Sequence, residues 1–302
     1  TELRQCWAAA AVTPYDIYMK TLYELVSERM EGPADDGTLW DDELTQALAE
    51  FQKEAVKKGV QVIREYGGVF IADVVGLGKS FIGAAILKHF RRTEGCKPLI
   101  ICPAPLKETW EEFSHQFDLG ARVVPMSMLR GSRNVLTGKQ YQDYDFVLID
   151  ESHHFRHHTS QQYAALQDFL LRRRSKLCLL TATPRNKSAW DVYNQIKLFH
   201  PDDITMLPVD PPNLKDYFKL VEKGSKTLQT LLKPVLVRRT RRHILRWYGI
   251  AEDSGRYLRE MDDGQAAEYL NGRKRAYVMV GARQNYFPRR RLGTLAYNID
   301  EP

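Results

Sequence analysis

Five consecutive residues, Gly76-Leu77-Gly78-Lys79-Ser80, combine the side-chain and backbone types needed to hold a phosphate chain. Glycines let backbone N–H groups converge on phosphate oxygens, and a helix opening at the lysine adds its own unpaired N–H groups. In that arrangement Lys79 reaches the β- and γ-phosphate oxygens and the Ser80 hydroxyl sits on Mg²⁺. The stricter form of the pattern has another glycine where this chain has Asp73. A second candidate is Asp150-Glu151, two carboxylates directly after the apolar run Phe146-Val147-Leu148-Ile149. The acid at this place in a phosphate-loop enzyme holds Mg²⁺, usually through water, and its neighbour is placed to polarise an attacking water. Alone, the first is a turn and the second a polar strand exit. Together they describe a nucleotide-hydrolysis site.

Such a site needs the loop to follow a strand and open a helix, and the acids to end a strand of the same sheet. The pattern supplies both. Val69-Phe70-Ile71-Ala72 precedes the loop, and an apolar helical segment from Phe81 to Phe90 follows it. Leu99-Ile100-Ile101-Cys102 stops at Pro103, Lys107 to Phe117 reads as a helix, and Ala121 to Val124 as a short strand. Lys176 to Leu180 ends in Thr181-Ala182-Thr183-Pro184. Strands alternating with helices predict an α/β fold, a parallel sheet flanked by helices, with ligands at the carboxyl ends of its strands. Upstream, helices are expected over Tyr15–Met30 and Asp42–Tyr66, separated by a Gly- and Pro-containing break and closed by Gly67-Gly68. Downstream, helices are expected over Val192–Phe199 and Asn213–Leu232, and a strand over Ala276–Val280.

Composition bounds the answer more loosely. The chain has 302 residues, 43% apolar and 27% charged, without a long uninterrupted apolar run, so no membrane partner is expected. Four cysteines without Cys-x-x-Cys spacing fit a reducing cytoplasm (at the nucleoid, if the source is bacterial) better than a zinc site. A net charge of +6 permits a polyanionic partner without demanding one. Arg172-Arg173-Arg174, Arg238 to His243 and Arg289-Arg290-Arg291 each read first as a solvated face.

Several of these segments match one family in order. Asp73-Val74-Val75-Gly76-Leu77-Gly78-Lys79-Ser80 resembles motif I of the Swi/Snf-like superfamily 2 helicases and translocases, usually Asp-Glu-x-Gly-Leu-Gly-Lys-Thr. Under that resemblance Asp73 is expected, Val74 replaces the usual Glu, and Ser80 keeps the hydroxyl of the usual Thr. Asp150-Glu151-Ser152-His153 is similar to the Asp-Glu-x-His box, and Ile101-Cys102-Pro103-Ala104-Pro105-Leu106 to motif Ia, with Trp110 on the helix after it. Thr181-Ala182-Thr183-Pro184 resembles motif III, Trp190 to Phe199 the helix that follows, and Val237 to Arg242 the basic segment leading out of the first lobe. The match covers roughly residues 45 to 245. It implies an N-terminal RecA-like ATPase lobe using ATP and Mg²⁺, with N-terminal helices and a C-terminal helical protrusion and connector. It implies that Gln52 reads adenine, that Gly76, Leu77 and Gly78 wrap the nucleotide, and that Thr181, Thr183 and His153 couple the site to a nucleic-acid surface. Lys107 and Thr109 are then candidates for a DNA phosphate.

The implied organisation is 1–41 as an N-terminal helical segment or the end of an upstream domain, 42–200 as the first lobe, 201–245 as a helical protrusion and 246–302 as a connector. Motors of this family need a second lobe for the arginines that stabilise the transferring phosphoryl. Residues 245–302 lack its Gln-x-x-Gly-Arg-x-x-Arg pattern: Gly272-Arg273 lacks the flanking residues and Arg289-Arg290-Arg291 the glycine. The expectation is therefore an excised lobe, slow by itself, whose parent moves on duplex DNA or remodels DNA-bound complexes. An inert lobe used as a nucleic-acid or protein scaffold, and an RNA helicase of the same superfamily, are the competing readings. His153 and His154 do not read as metal ligands, and His153 reads as a structural or coupling residue; Trp110 and Trp190 read as core rather than base-stacking platforms.

Overall fold

A computed structural model describes residues 42–73, 76–131, 134–182, 188–281 and 283–287. The expected Tyr15–Met30 helix and the whole of 1–41 lie outside the described residues, as do Val74, Val75, Thr183 and Pro184. The described residues form two compact units, one within 42–48 and 52–239, the other 49–51 with 240–281 and 283–287.

The first unit is a six-stranded sheet whose strands all run parallel. Helix α1 (Glu43–Gln46) and α2 (Glu50–Tyr66) lead to β1 (Gly68–Ile71). Then come α3 (Lys79–Glu94), β2 (Pro98–Cys102), α4 (Lys107–Gln116), β3 (Arg122–Pro125), β4 (Phe146–Ile149), α5 (Gln161–Arg173) and β5 (Lys176–Leu180). A helical excursion through α6 (Trp190–Ile196), α7 (Leu214–Glu222) and α8 (Leu228–Leu232) returns the chain to the sheet at β6 (Leu236–Val237). The sheet order is β3-β2-β4-β5-β1-β6. β1, β2 and β4 are buried along their whole length, and β5 from Leu177 on, which is why they read as continuous apolar runs: helices cover both faces. Gly83 lets α3 lie close to the sheet, since a Cβ there would press on Leu148 and Leu180.

Three expectations are corrected. The helix expected over 42–66 is two: a first short turn, Glu43–Gln46, opens on a capping box in which the Asp42 carboxylate accepts from Thr45 N and the Thr45 side chain answers, and the second helix starts afresh at Glu50. No glycine or proline marks the break, so apolar spacing alone could not show it. The helix expected over 213–232 is also two, with Gly224 at φ +74° between them. Range 201–245 is not helical throughout, since it contains β6, which pairs with β1 through Phe70↔Leu236 and Ile71↔Val237.

The second unit, described by itself, contains α9 (Arg241–Tyr248), β7 (Ile250–Ala251), α10 (Asp263–Leu270), β8 (Ala276–Val280) and β9 (Arg283–Asn285). Its strands form an antiparallel β7-β8-β9 sheet with a small core of Ala251, Leu258, Met261, Ala266 and Tyr269.

Candidate nucleotide site

The expected site residues gather at the carboxyl ends of β1, β4 and β5. After β1, Gly76 and Gly78 both adopt positive φ, +87° and +75°, and α3 begins at Lys79. A Cβ built at Gly78 would collide with Nε2 of Gln52, and that same amide donates to the carbonyl of Leu77 at 3.1 Å. Gln52 is thus buried against the loop. Its side chain and the loop backbone shape each other. Lys79 turns back over the loop, with Nζ donating to the Asp73 carbonyl at 3.0 Å. Ser80 is half-buried in the first turn of α3.

Asp73 itself is fully buried and holds no solvent-facing role. Its Oδ1 accepts from the backbone N–H of Arg239 at 2.7 Å and from Arg239 Nε at 3.3 Å, and its Oδ2 pairs with Arg239 Nη2. The acid at the head of the phosphate loop is therefore clamped by the residue that ends the first unit.

At the end of β4, Asp150 is buried and Glu151 half-buried. Asp150 Oδ1 accepts from Glu151 N at 2.9 Å, and Oδ2 accepts from the indole Nε1 of Trp110 at 2.9 Å. Burial pushes the Asp150 carboxyl above its ordinary value, as does the neighbouring Glu151 charge, while the Trp110 hydrogen bond and the Lys79 charge pull it back in part. Glu151 sits at φ +50°, ψ +50°, a left-handed conformation unusual for a residue with a Cβ and concentrated at functional sites. Its Oε2 lies 3.1 Å from His153 Nδ1, and His153 stacks on His154 with ring centroids 4.5 Å apart. His153 therefore touches the carboxylate expected to polarise water.

Thr181 directly follows β5, fully buried, with its N–H on the carbonyl of Ile71 at 3.1 Å. Its partner in the expectation, Thr183, lies outside the described residues. Helix α6 grips the loop after Glu151. Ser152 Oγ donates to Gln195 Oε1 at 3.0 Å, Gln195 Nε2 donates to the Asp191 carbonyl at 2.9 Å, and Asn194 Nδ2 donates to the Arg156 carbonyl at 2.6 Å. Lys107 and Thr109 lie on the first turn of α4, beyond β2. Lys107 pairs with Glu111 at 3.0 Å within that helix, and Thr109 is exposed.

Four residues close to the site carry contacts that no local pattern announces: Arg239, Gln195, Trp110 and, in its contact with Glu151, His153. Trp110 is buried as expected, but its N–H is also used. Trp190 packs on Tyr193 and Phe218. Among the described residues no group of three or more His, Cys, Asp or Glu could hold a metal ion by protein ligands alone, and no helix is long and apolar enough to cross a membrane.

A phosphate loop and an acidic strand end on one parallel sheet define a nucleotide-binding lobe of the RecA-like α/β class. The SNF2-related domain family model matches residues 123–284, more than half of the chain, and the chain belongs to that family. It is a Swi/Snf-like superfamily 2 lobe. An uncharacterized ATP-dependent helicase, YqhH of Bacillus subtilis (strain 168), is 30% identical over 166 residues, which is 50% of this chain and 29% of that protein. Chromodomain-helicase-DNA-binding protein 1-like of Mus musculus is 24% identical over 226 residues, 65% of this chain and 25% of that protein. The chain thus spans less than a third of the length of these relatives. The solved Sulfolobus solfataricus SWI2/SNF2 ATPase core in complex with dsDNA shares the fold, with a TM-score of 0.50 at 19% identity over 64% of this chain and 44% of that one.

Proposed function

We propose that this chain is the ATP-binding lobe of a DNA-dependent ATPase that moves on duplex DNA or remodels complexes bound to it. One observation carries the reading: Gly78-Lys79-Ser80 and Asp150-Glu151 follow the carboxyl ends of two strands, β1 and β4, of one parallel sheet, separated only by β5. Lys79 is the cation for the phosphate chain. Ser80 and Asp150 are a hydroxyl and a carboxylate, the hard oxygen donors that suit Mg²⁺ with several of its waters retained. When bound, that ion would neutralise charge developing on the phosphates. Glu151, steadied by His153, is the group to orient and deprotonate a water. Gln52, already packed on Leu77 and Gly78, is the adenine reader.

The partner is supported by the family and by a relative solved with duplex DNA. Full turnover is proposed to need a second lobe to bring arginines to the phosphoryl group.

The test is Mg·ATP binding and turnover by this chain, with duplex DNA, with single-stranded RNA and with neither. Nucleotide binding that is lost in Lys79→Ala, with slow turnover removed by Glu151→Gln, supports the reading. General-base loss costs about 10²–10⁴ in rate. Binding that survives Lys79→Ala unchanged would refute it. A preference for single-stranded RNA over duplex DNA would replace the proposed partner.

A further inference from the structure

Trp110 and Asp150 come from different elements, α4 and the end of β4, yet meet in a buried hydrogen bond of 2.9 Å. The indole is only 3% exposed, so this donor cannot be replaced by bulk water. Each carboxylate oxygen of Asp150 accepts one protein N–H, Trp110 Nε1 on Oδ2 and Glu151 N on Oδ1. Each oxygen has two acceptor sites, so both keep a second one for a water or an ion. The two donors fix the plane and direction of the carboxylate.

The ring of Trp110 is in turn held by an aromatic cluster reaching the phosphate loop. Trp110 packs edge-on against Phe113 at 5.7 Å between centroids, and Phe113 packs against Phe81 at 4.9 Å and Phe117 at 4.6 Å. Phe81 directly follows Ser80 on the first turn of α3. One continuous set of contacts therefore runs from the residue beside Ser80 to the N–H that orients Asp150.

We propose that Trp110 is a positioning residue for the divalent cation of this site: its indole N–H aims the Asp150 carboxylate, and its packing on Phe113, which in turn packs on Phe81, keeps that carboxylate in register with the Ser80 hydroxyl. The inference rests on the nucleotide reading above. Partners that orient a metal-binding group by hydrogen bond are worth about 10- to 100-fold in metal affinity. A tryptophan serving only to fill the core would leave cation affinity alone.

The experiment titrates Mg²⁺ into the full chain at fixed fluorescent ATP analogue, for the unaltered chain and for Trp110→Phe, with matching titrations of the analogue in EDTA. Phenylalanine keeps a ring against Phe113 and removes only the donor and the second ring. The expected result is unchanged affinity for the analogue in EDTA, with the Mg²⁺ concentration for half-maximal effect raised about tenfold or more. A Mg²⁺ dependence equal to that of the unaltered chain overturns the proposal. Should the unaltered chain bind the analogue with no Mg²⁺ dependence, or should Lys79→Ala bind as well as it does, the nucleotide reading fails instead.

If Trp110→Phe does not fold, the indole N–H resonance of Trp110 in the unaltered chain decides, with Mg²⁺ added at saturating analogue. A resonance that moves on that addition supports the proposal. One that stays in place overturns it.

Discussion

Arg239→Met is the perturbation for which the structure gives the clearest magnitude. It removes a guanidinium that is 5% exposed from a carboxylate that is 0% exposed. Asp73 would keep the 2.7 Å bond from the backbone N–H of residue 239 and lose both side-chain donors. Breaking a buried pair from one side typically costs about 3–5 kcal/mol, because the remaining charge is left without compensation. For a unit of this size each kcal/mol is worth about 2–4 °C, so the expected drop in melting temperature is about 6–20 °C. The damage should begin locally. β6 has only two residues, tied to β1 by Phe70 N on the Val235 carbonyl and Ala72 N on the Val237 carbonyl, both at 2.8 Å. Amide exchange at Phe70 and Ala72 should therefore accelerate before that of β4. The decisive assay is a double-mutant cycle by urea unfolding, with Asp73→Asn, Arg239→Met and both together. An asparagine side chain is neutral, so the double variant should recover much of the loss of either single change. Two single changes that each cost under about 1 kcal/mol and simply add would refute the buried-pair argument.

Gly78→Ala should cost about 1–2 kcal/mol for holding a Cβ at φ +75°, and should expel the Gln52 amide from Leu77, lowering adenine-nucleotide affinity. Equal stability and equal affinity in the variant would sink that claim. Gln195→Leu removes the acceptor of the buried Ser152 hydroxyl and should cost about 1–3 kcal/mol by calorimetry, with Glu151 chemistry slowed as the loop loosens. A variant with unchanged melting and turnover would show that α6 does not steady the loop. Asp42→Asn keeps a competent helix cap but loses charge contacts with Lys88 at 3.1 Å and Arg92 at 3.2 Å, worth about 0.2–1 kcal/mol each at these partly exposed positions. Burial raises the Asp42 carboxyl, but the Thr45 N–H and Lys88 together bring it below 3.8. The stability it adds is thus present above pH 3.8 and lost as pH falls through its lower folded value. The difference between the two chains in urea should be flat near neutrality and shrink below about pH 4, and a difference that grows on acidification would contradict the assignment.

The fold and the placement of the candidate site's central residues were legible for a shared physical reason: both are written in local order. A strand covered on both faces must be a continuous apolar run, so β1, β2, β4 and β5 stood out, and the residue after each run is by geometry at a carboxyl end. Gly78 and Lys79 follow from the turn and helix start that a phosphate loop requires. Less legible was the break after Gln46, which no glycine or proline marks; the break between α7 and α8 does carry a glycine, Gly224, but the apolar spacing runs through it. Of the two residues of β6 only Val237 was read, as the start of a basic segment, since a strand that short carries no periodicity of its own. Its place beside β1 comes from the sheet, not from its composition.

The residues that brace the site were not legible, and the cause is separation rather than ambiguity. Asp73 and Arg239 stand 166 positions apart, Trp110 and Asp150 are 40 apart, and Ser152 and Gln195 are 43 apart. In each pair one member lies in a motif with a chemical reading, while the other lies in a segment that matched the family without any chemistry of its own: Trp110 on a helix, Gln195 on another, Arg239 in a basic run. Trp110 shows why such a reading is incomplete without being wrong. Its ring is core, and its N–H is bonded to Asp150, because burial and hydrogen bonding engage different atoms of one side chain. Local pattern registers only the first. A buried indole must find an acceptor for its N–H, so a tryptophan soon after a strand end that borders a candidate acidic site is worth testing as a brace for that acid. The same logic applies to Arg239. A basic run usually marks a solvated face, but its innermost member, next to a strand that returns to the sheet, has to bring a counter-charge inside with it. The nearest motif carboxylate is then the first place to look.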